Sequence, residues 1–415
     1  VQNPYEWDHY SDQPYQLKDK RYKKKSRKMV TGSLIRTALY SLIFLPLALL
    51  ATPFRRAKEY TSADIVALVV DPLRYGEETL EMIGELGVKK IEIRIKMWEL
   101  DSLRSVEQFC KRCDTKILFV LMQDRESVVD EELRQKSFET IFKVLSPYSN
   151  EFVIGTTINR AKWGFWSVDE YLLFYKSALD LRNKEYPNLL LIGGGVIDFE
   201  YHFFAHVLSS RLKFDAISSL LYVDRRGAPE RSQLGFDLVS KINLLSSLIA
   251  LKQRVPLYIT ETNYPLTGTA PYAPTSEKEA VSESEYSCYM VRYFLLALAS
   301  KQVKSVFWHQ LIASGYGLVD ARGSTLRKRE AFYAFKTLVA VLDGSEFITL
   351  AQKRDLFEML LQRDSSTIRI FWSGGSEQRR YFSSEYEFVD MSGKKFITNT
   401  LLIGAAPIYL IEDNI

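Results

Sequence analysis

Polar side chains able to do chemistry recur in this sequence directly after short apolar runs. Arg94, Lys96, Trp98 and Glu99 follow one run, Gln123 and Asp124 the next, and Asn159, Arg160, Lys162 and Trp163 a third. Asp198 with Glu200, Tyr222 with Asp224, Glu261 with Asn263, and Trp308 with His309 and Gln310 continue the series. A carboxylate such as Glu261 can act as a nucleophile, as a base, or as the partner of a guanidinium, and Arg94 and Arg160 both suit that pairing. Trp308 and the cluster Trp163-Gly164-Phe165-Trp166 offer flat apolar faces, suited to a core or to a sugar ring. Metal chemistry has little to build on. The four histidines (His9, His202, His206, His309) are scattered, and His202 and His206 lack an HExxH carboxylate between them. Three cysteines exclude a disulfide scaffold and a four-thiolate zinc site. Cys110 and Cys113 could close a disulfide outside the cytoplasm, but no thioredoxin-like context surrounds them. No cofactor and no metal are expected.

The elements that must position these residues follow from hydrophobic patterning. Apolar runs at 63–70, 89–95, 116–122, 152–158, 189–197, 215–222, 256–262 and 304–311 alternate with amphipathic stretches. Eight strands and eight helices in strict alternation predict an α/β fold, a (β/α)8 TIM barrel spanning 60–343, with chemistry at the C-terminal strand ends. An open doubly wound sheet is the weaker alternative, because Gly193-Gly194-Gly195 lies inside a strand and no phosphate loop follows the first one. Past Leu342 short runs broken by Arg363-Asp364-Ser365, Ser373-Gly374-Gly375 and Ser392-Gly393 predict a small antiparallel β domain over 344–415.

With the barrel drawn, YITETNYP around Glu261, FWHQL around Trp308, and the later SGYGLVDARGSTLRKREAFYAFK resemble clan A glycoside hydrolases over residues 63–415. The resemblance implies Glu261 as nucleophile, Asn159 as partner of the sugar 2-hydroxyl, Tyr222 and Arg94 around the nucleophile, and Trp308 as a sugar platform. Trp163 joins these as a candidate substrate contact. Retaining members carry an acid/base Glu directly after the Asn; here that position is Arg160. Retaining hydrolysis needs two carboxyls ~5–5.5 Å apart, one of them able to protonate the leaving oxygen. A guanidinium cannot do so. Arg160 is expected to pair with Glu261 across the barrel mouth. The expected function is therefore a glycoside hydrolase-like protein that binds glycan, or serves as a subunit of an envelope complex, without turnover. The alternative is an active retaining enzyme with a relocated acid, for which Glu99, Asp124, Glu126, Glu200 and Asp224 are candidates.

Thr37 to Phe54 carries no charge, and residues 32–54 predict a single transmembrane helix. Residues 1–31 hold eight of the 55 Lys and Arg, so the positive-inside rule predicts a cytoplasmic basic tail and a periplasmic barrel at an inner membrane. A net charge of +4, mostly in that tail, argues against a nucleic-acid partner. The expected partners are a glycan or lipid-linked oligosaccharide, the membrane, and a membrane-protein complex.

Overall fold

The computed structural model describes residues 6–15, 19–224, 227–273 and 277–413. The chain opens with a hairpin, β1 (Trp7–Asp8) and β2 (Gln13–Pro14), then the basic helix α1 (Lys20–Met29) and the apolar helix α2 (Thr31–Ala51). The barrel begins with β3 (Val66–Val70), α3 (Gly76–Leu86), β4 (Lys90–Lys96), α4 (Leu103–Cys110), β5 (Lys116–Met122) and α5 (Glu131–Leu145). It continues through β6 (Glu151–Ile154), α6 (Val168–Glu185), β7 (Leu190–Ile197), α7 (Tyr201–Ser209), β8 (Ala216–Leu220) and α8 (Leu238–Ala250). Then β9 (Leu257–Thr262), α9 (Glu283–Ala299), β10 (Val303–Trp308) and α10 (Glu330–Leu342) complete the eight units. The strands are parallel and closed, β10 pairing with both β3 and β9. This is the expected (β/α)8 barrel.

Each barrel strand is buried on both faces, so alternation sorts its side chains between two cores. Ala67, Val69, Leu118, Val120, Ile192, Tyr258 and Phe307 point inward and form one apolar cluster. Leu68, Ile91, Ile93, Phe119, Val306 and Trp308 belong to the outer cluster against the helices. In β4 the alternation is sharper, with three isoleucines outward and Lys90, Glu92, Arg94 and Lys96 on the opposite face. Lys90 pairs with Glu151, which also accepts from Tyr258 at 2.9 Å, so the lower barrel contains a closed polar layer.

The C-terminal unit is a six-stranded antiparallel sheet of β11 (Glu346–Lys353), β12 (Leu356–Arg363), β13 (Ser366–Ser373), β14 (Gln378–Val389), β15 (Lys395–Ile403) and β16 (Ile408–Asp413). Its order is β11-β12-β13-β16-β14-β15. Trp372 ties it to the barrel, donating from its indole to Glu230 at 2.9 Å while Glu230 pairs with Arg292 of α9.

Thr31–Phe54 is one continuous helical segment long and apolar enough to cross a membrane. It packs lengthwise on the barrel, against α7 and α8. The contact face is a seam of small and hydroxyl residues spaced by helical turns. Thr37 bonds His206 Nδ1 at 2.8 Å, Ala48 is fully buried, and Thr52 reaches Ser247 at 3.1 Å. Arg36 pairs with Asp169 at 2.6 Å, and Arg55 donates to Ser246 and Gln302. The opposite face exposes Ile35, Leu39, Leu42, Ile43, Leu50 and Phe54. The hairpin rests on the barrel mouth, Trp7 against Trp98 and Trp163 and Gln13 against Lys162. Cys110 and Cys113 are free thiols.

Candidate functional site

Glu261 faces the barrel interior because β9 is irregular. Val306 and Trp308 of β10 pair with Ile259 and Thr262 of β9, so three steps on β9 match two on β10. From the inward Tyr258, strict alternation would turn residue 261 outward; the extra residue restores it to the inside. There its carboxylate accepts from Arg94 Nη2 at 2.6 Å and from the Tyr222 hydroxyl. Arg94 also donates through Nε to Glu92 at 3.1 Å. The guanidinium thus bridges two buried carboxyls stacked down the barrel axis.

These carboxyls titrate in opposite directions. Burial raises the pKa of Glu261, yet the Arg94 charge and the hydrogen bonds from Tyr222 and Arg94 outweigh it, leaving the group below the usual carboxylate value. Glu92 is fully inaccessible, and burial wins over Arg94, pushing it up to about 8. At neutral pH the triad is a neutral Glu92, a charged Arg94 and an ionised Glu261. His309 lies against the same group. Burial and the Arg94 charge push its pKa down to about 3, so the ring is neutral.

The loop after β6 builds the facing wall. Gln123 clamps it, donating to Thr156 O at 2.8 Å and Trp163 O at 2.7 Å and accepting from Thr156 N at 3.0 Å. The glycine run of β7 allows a close approach behind the loop: Gly195 has φ of 66°, and a Cβ there would lie 3.0 Å from Gly155 O. Asn159 is fixed to β7 by two bonds of 3.0 Å with the Ile197 backbone, and it donates to Glu200 at 2.7 Å.

Arg160 does not pair with Glu261. It turns to the β7–α7 loop, binding Asp198 at 2.7 Å and Glu200 at 2.9 Å. The physical reason is competition. Arg94 and Tyr222 already saturate Glu261 from inside the barrel, while two half-exposed carboxylates stand beside the loop carrying Arg160. Burial raises the pKa of Glu200, but hydrogen bonds from Arg160 and Asn159 bring it net below its ordinary value. Trp308 is not the expected sugar platform. It is fully buried, its indole donating to the Tyr286 hydroxyl at 2.6 Å, and it packs among Tyr286, Tyr293 and Phe294 of α9. Phe307 is the inward residue of β10, so parity places Trp308 in the helix layer, where no sugar can reach.

Together these groups line a cavity of about 580 Å³, with Arg94, Asn159, Arg160, Lys162, Trp163, Tyr222 and Glu261 on its walls. Asn263, His309, Tyr316 and Thr157 complete the polar floor. Asn263 Oδ1 and His309 Nε2 are buried there with no hydrogen-bond partner among the described residues. The tail supplies a roof that the sequence did not announce. Trp7 packs on Trp98 and Trp163 at centroid distances of 5.4 and 5.7 Å, under the Lys96 ammonium. Asp12 lies 3.5 Å from Arg74, and Gln13 accepts from Lys162 at 2.7 Å. The only sequence signals for this contact are an isolated Trp and a polar turn.

A closed eight-stranded barrel followed by an antiparallel sheet is shared with solved structures. A family 39 glycoside hydrolase from Bacteroides cellulosilyticus matches with a TM-score of 0.68 at 15% identity, covering 86% of this chain and 82% of that one. The fold is the one these glycoside hydrolases have. A family 51 arabinofuranosidase from Xanthomonas axonopodis pv. citri gives 0.60 at 10% identity, covering 86% and 98%. A family 30 endoxylanase from Clostridium papyrosolvens gives 0.57 at 11%, covering 86% and 97%. No family model matches the sequence, and no curated protein matches it either. The glycoside hydrolase fold therefore stands on three-dimensional similarity.

Proposed function

We propose that the barrel mouth binds a glycan without hydrolysing it. One observation carries the proposal: the wall facing the ionised Glu261 presents Arg160, and the carboxylates beside it, Asp198 and Glu200, are engaged by that arginine. Hydrolysis through a glycosyl-enzyme intermediate needs a proton donor for the leaving oxygen. A guanidinium supplies none, and Glu200, with its lowered pKa, holds its proton poorly. The binding function rests on complementary groups. Glu261, Asn263 and His309 line the cavity and offer polar groups to a ligand's hydroxyls. Trp163 supplies an aromatic edge. We further place the protein at a lipid surface, where the apolar stripe of α2 and the exposed Arg21, Lys24, Lys25 and Lys28 of α1 would face acyl chains and anionic headgroups. Calorimetric titration with a panel of oligosaccharides tests the binding function. Glu261→Gln should weaken the best ligand at least tenfold; a panel with no ligand would contradict it.

Retaining hydrolysis with a relocated acid is the second reading. One observation favours it: the Asp12 carboxylate reaches the same cavity from the tail. Glycoside cleavage lost in both Asp12→Asn and Glu261→Gln would establish it.

A further inference from the structure

The cavity is two-sided. Its polar floor is made by barrel residues around Glu261, whereas its outer wall is apolar. Val30 and Leu34, where α1 gives way to α2, join Ile158, Phe165, Trp166 and Phe203 along that wall. Leu34 is 46% exposed, so it borders both the cavity and the outer surface. Leu34 stands at the margin of the docking seam, one turn before Thr37, and beside it the exposed apolar stripe of α2 begins with Ile35 and runs through Leu39, Leu42 and Ile43. A ligand bound only through hydroxyls has no use for such a wall. An amphiphile would use both ends.

We infer that the ligand is a glycolipid, its sugar head on the Glu261 floor and its hydrocarbon chain leaving between Val30, Leu34 and Phe203 onto the outer face of α2. This deepens the glycan-binding proposal and rests on it for the head group. Three features support the direction. The apolar exit opens toward the one long apolar stripe described on the molecule. The exposed basic residues of α1 sit at that same end, where they would meet phosphate headgroups of the surrounding lipid. The hairpin closes the opposite side through Trp7, leaving the lipid-facing side for the chain.

The test uses the full-length protein and methyl, octyl and dodecyl glycosides of glucose, galactose, mannose and xylose, all below their micelle-forming concentrations. The best dodecyl glycoside should bind at least about tenfold tighter than its methyl counterpart, since each buried methylene contributes. Leu34→Gln, at a half-exposed position that tolerates a polar residue, should erase that gain and leave methyl glycoside binding unchanged; Phe203→Ser should do the same. Glu261→Gln should weaken every chain length by the same factor. Affinity independent of chain length overturns the inference, as does a gain that survives both wall variants. A panel in which no dodecyl glycoside binds overturns it too, because the chain contacts do not depend on the sugar. Absolute affinities that Glu261→Gln leaves unchanged at every chain length, with the chain-length gain intact, would keep the wall and instead remove the Glu261 floor as the head-group site.

Discussion

Glu92 is the residue whose replacement reports most sharply on the charge arrangement under the site. Its carboxyl is fully buried and pushed up to about 8 from the usual 4.5 or so, because burial outweighs the attraction of Arg94. A carboxyl whose folded pKa is raised keeps its proton in the native state while the unfolded chain releases its own. The native state then binds more protons between about pH 4.5 and pH 8, and stability falls as pH rises through that window. Each unit of pH costs about 1.4 kcal/mol, so wild type loses at most ~4 kcal/mol between pH 5 and pH 8 through this group. Glu92→Gln keeps the shape and an acceptor for Arg94 Nε but has no proton to lose. The variant should match wild type within about 1 kcal/mol at pH 5 and be more stable by several kcal/mol at pH 8. Urea denaturation at both pH values measures the difference, and isotope-edited infrared spectroscopy should find a neutral carboxyl band at pH 7 that vanishes in the variant. A stability difference that does not change with pH, together with no such band, would refute the reasoning.

Other outcomes follow from the packing. Trp308→Ala should cost about 3–5 kcal/mol by opening a cavity beneath α9, and it should lower the melting temperature without selectively weakening a ligand. Gln123→Ala removes three hydrogen bonds from the 155–164 loop, worth about 2–4 kcal/mol, and should expose that loop to limited proteolysis. Trp7→Ala should loosen the hairpin, because a two-stranded ribbon is marginal alone and the indole packs on both Trp98 and Trp163. Tryptophan emission should shift to the red and glycan association should quicken, with the barrel's circular dichroism unchanged. Unchanged emission would mean that the hairpin holds without Trp7.

The barrel was legible because its strands are apolar runs separated by amphipathic helices, and that periodicity is local. The C-terminal sheet was legible for the same reason, through its turn residues. Glu261 and its partners Arg94 and Tyr222 could be named because each closes an apolar run, and KIEIRIK shows by alternation alone that Glu92 shares a face with Arg94. What alternation cannot show is a bulge. The extra residue in β9 that turns Glu261 inward leaves no composition signal, and one step of parity moved Trp308 from the expected platform into the helix layer. Arg160 was placed correctly in the chain but paired wrongly, since strand order says which residues share the mouth and not which loop carboxylates compete for a guanidinium. The apolar run at 37–54 hid a second pattern. Thr37, Ser41, Ala48 and Thr52 recur near helical spacing and mark the seam that docks on α7 and α8. The hairpin's contact with Trp98 and Trp163 is long-range, and nothing near Trp7 in sequence encodes it.

The central claim is that the mouth holds a glycan while Arg160 denies it a proton donor. Release of the chromophore from a panel of aryl glycosides, measured for wild type beside Arg160→Glu, tests this most directly. The substitution places a carboxyl next to Asp198 and Glu200, whose like charges raise its pKa toward that of a working acid, and general acid catalysis contributes typically ~10²–10⁴-fold. Wild type should show no release above the uncatalysed rate, and Arg160→Glu should show measurable turnover that Glu261→Gln abolishes. Turnover by wild type, abolished by Glu261→Gln, would contradict the claim.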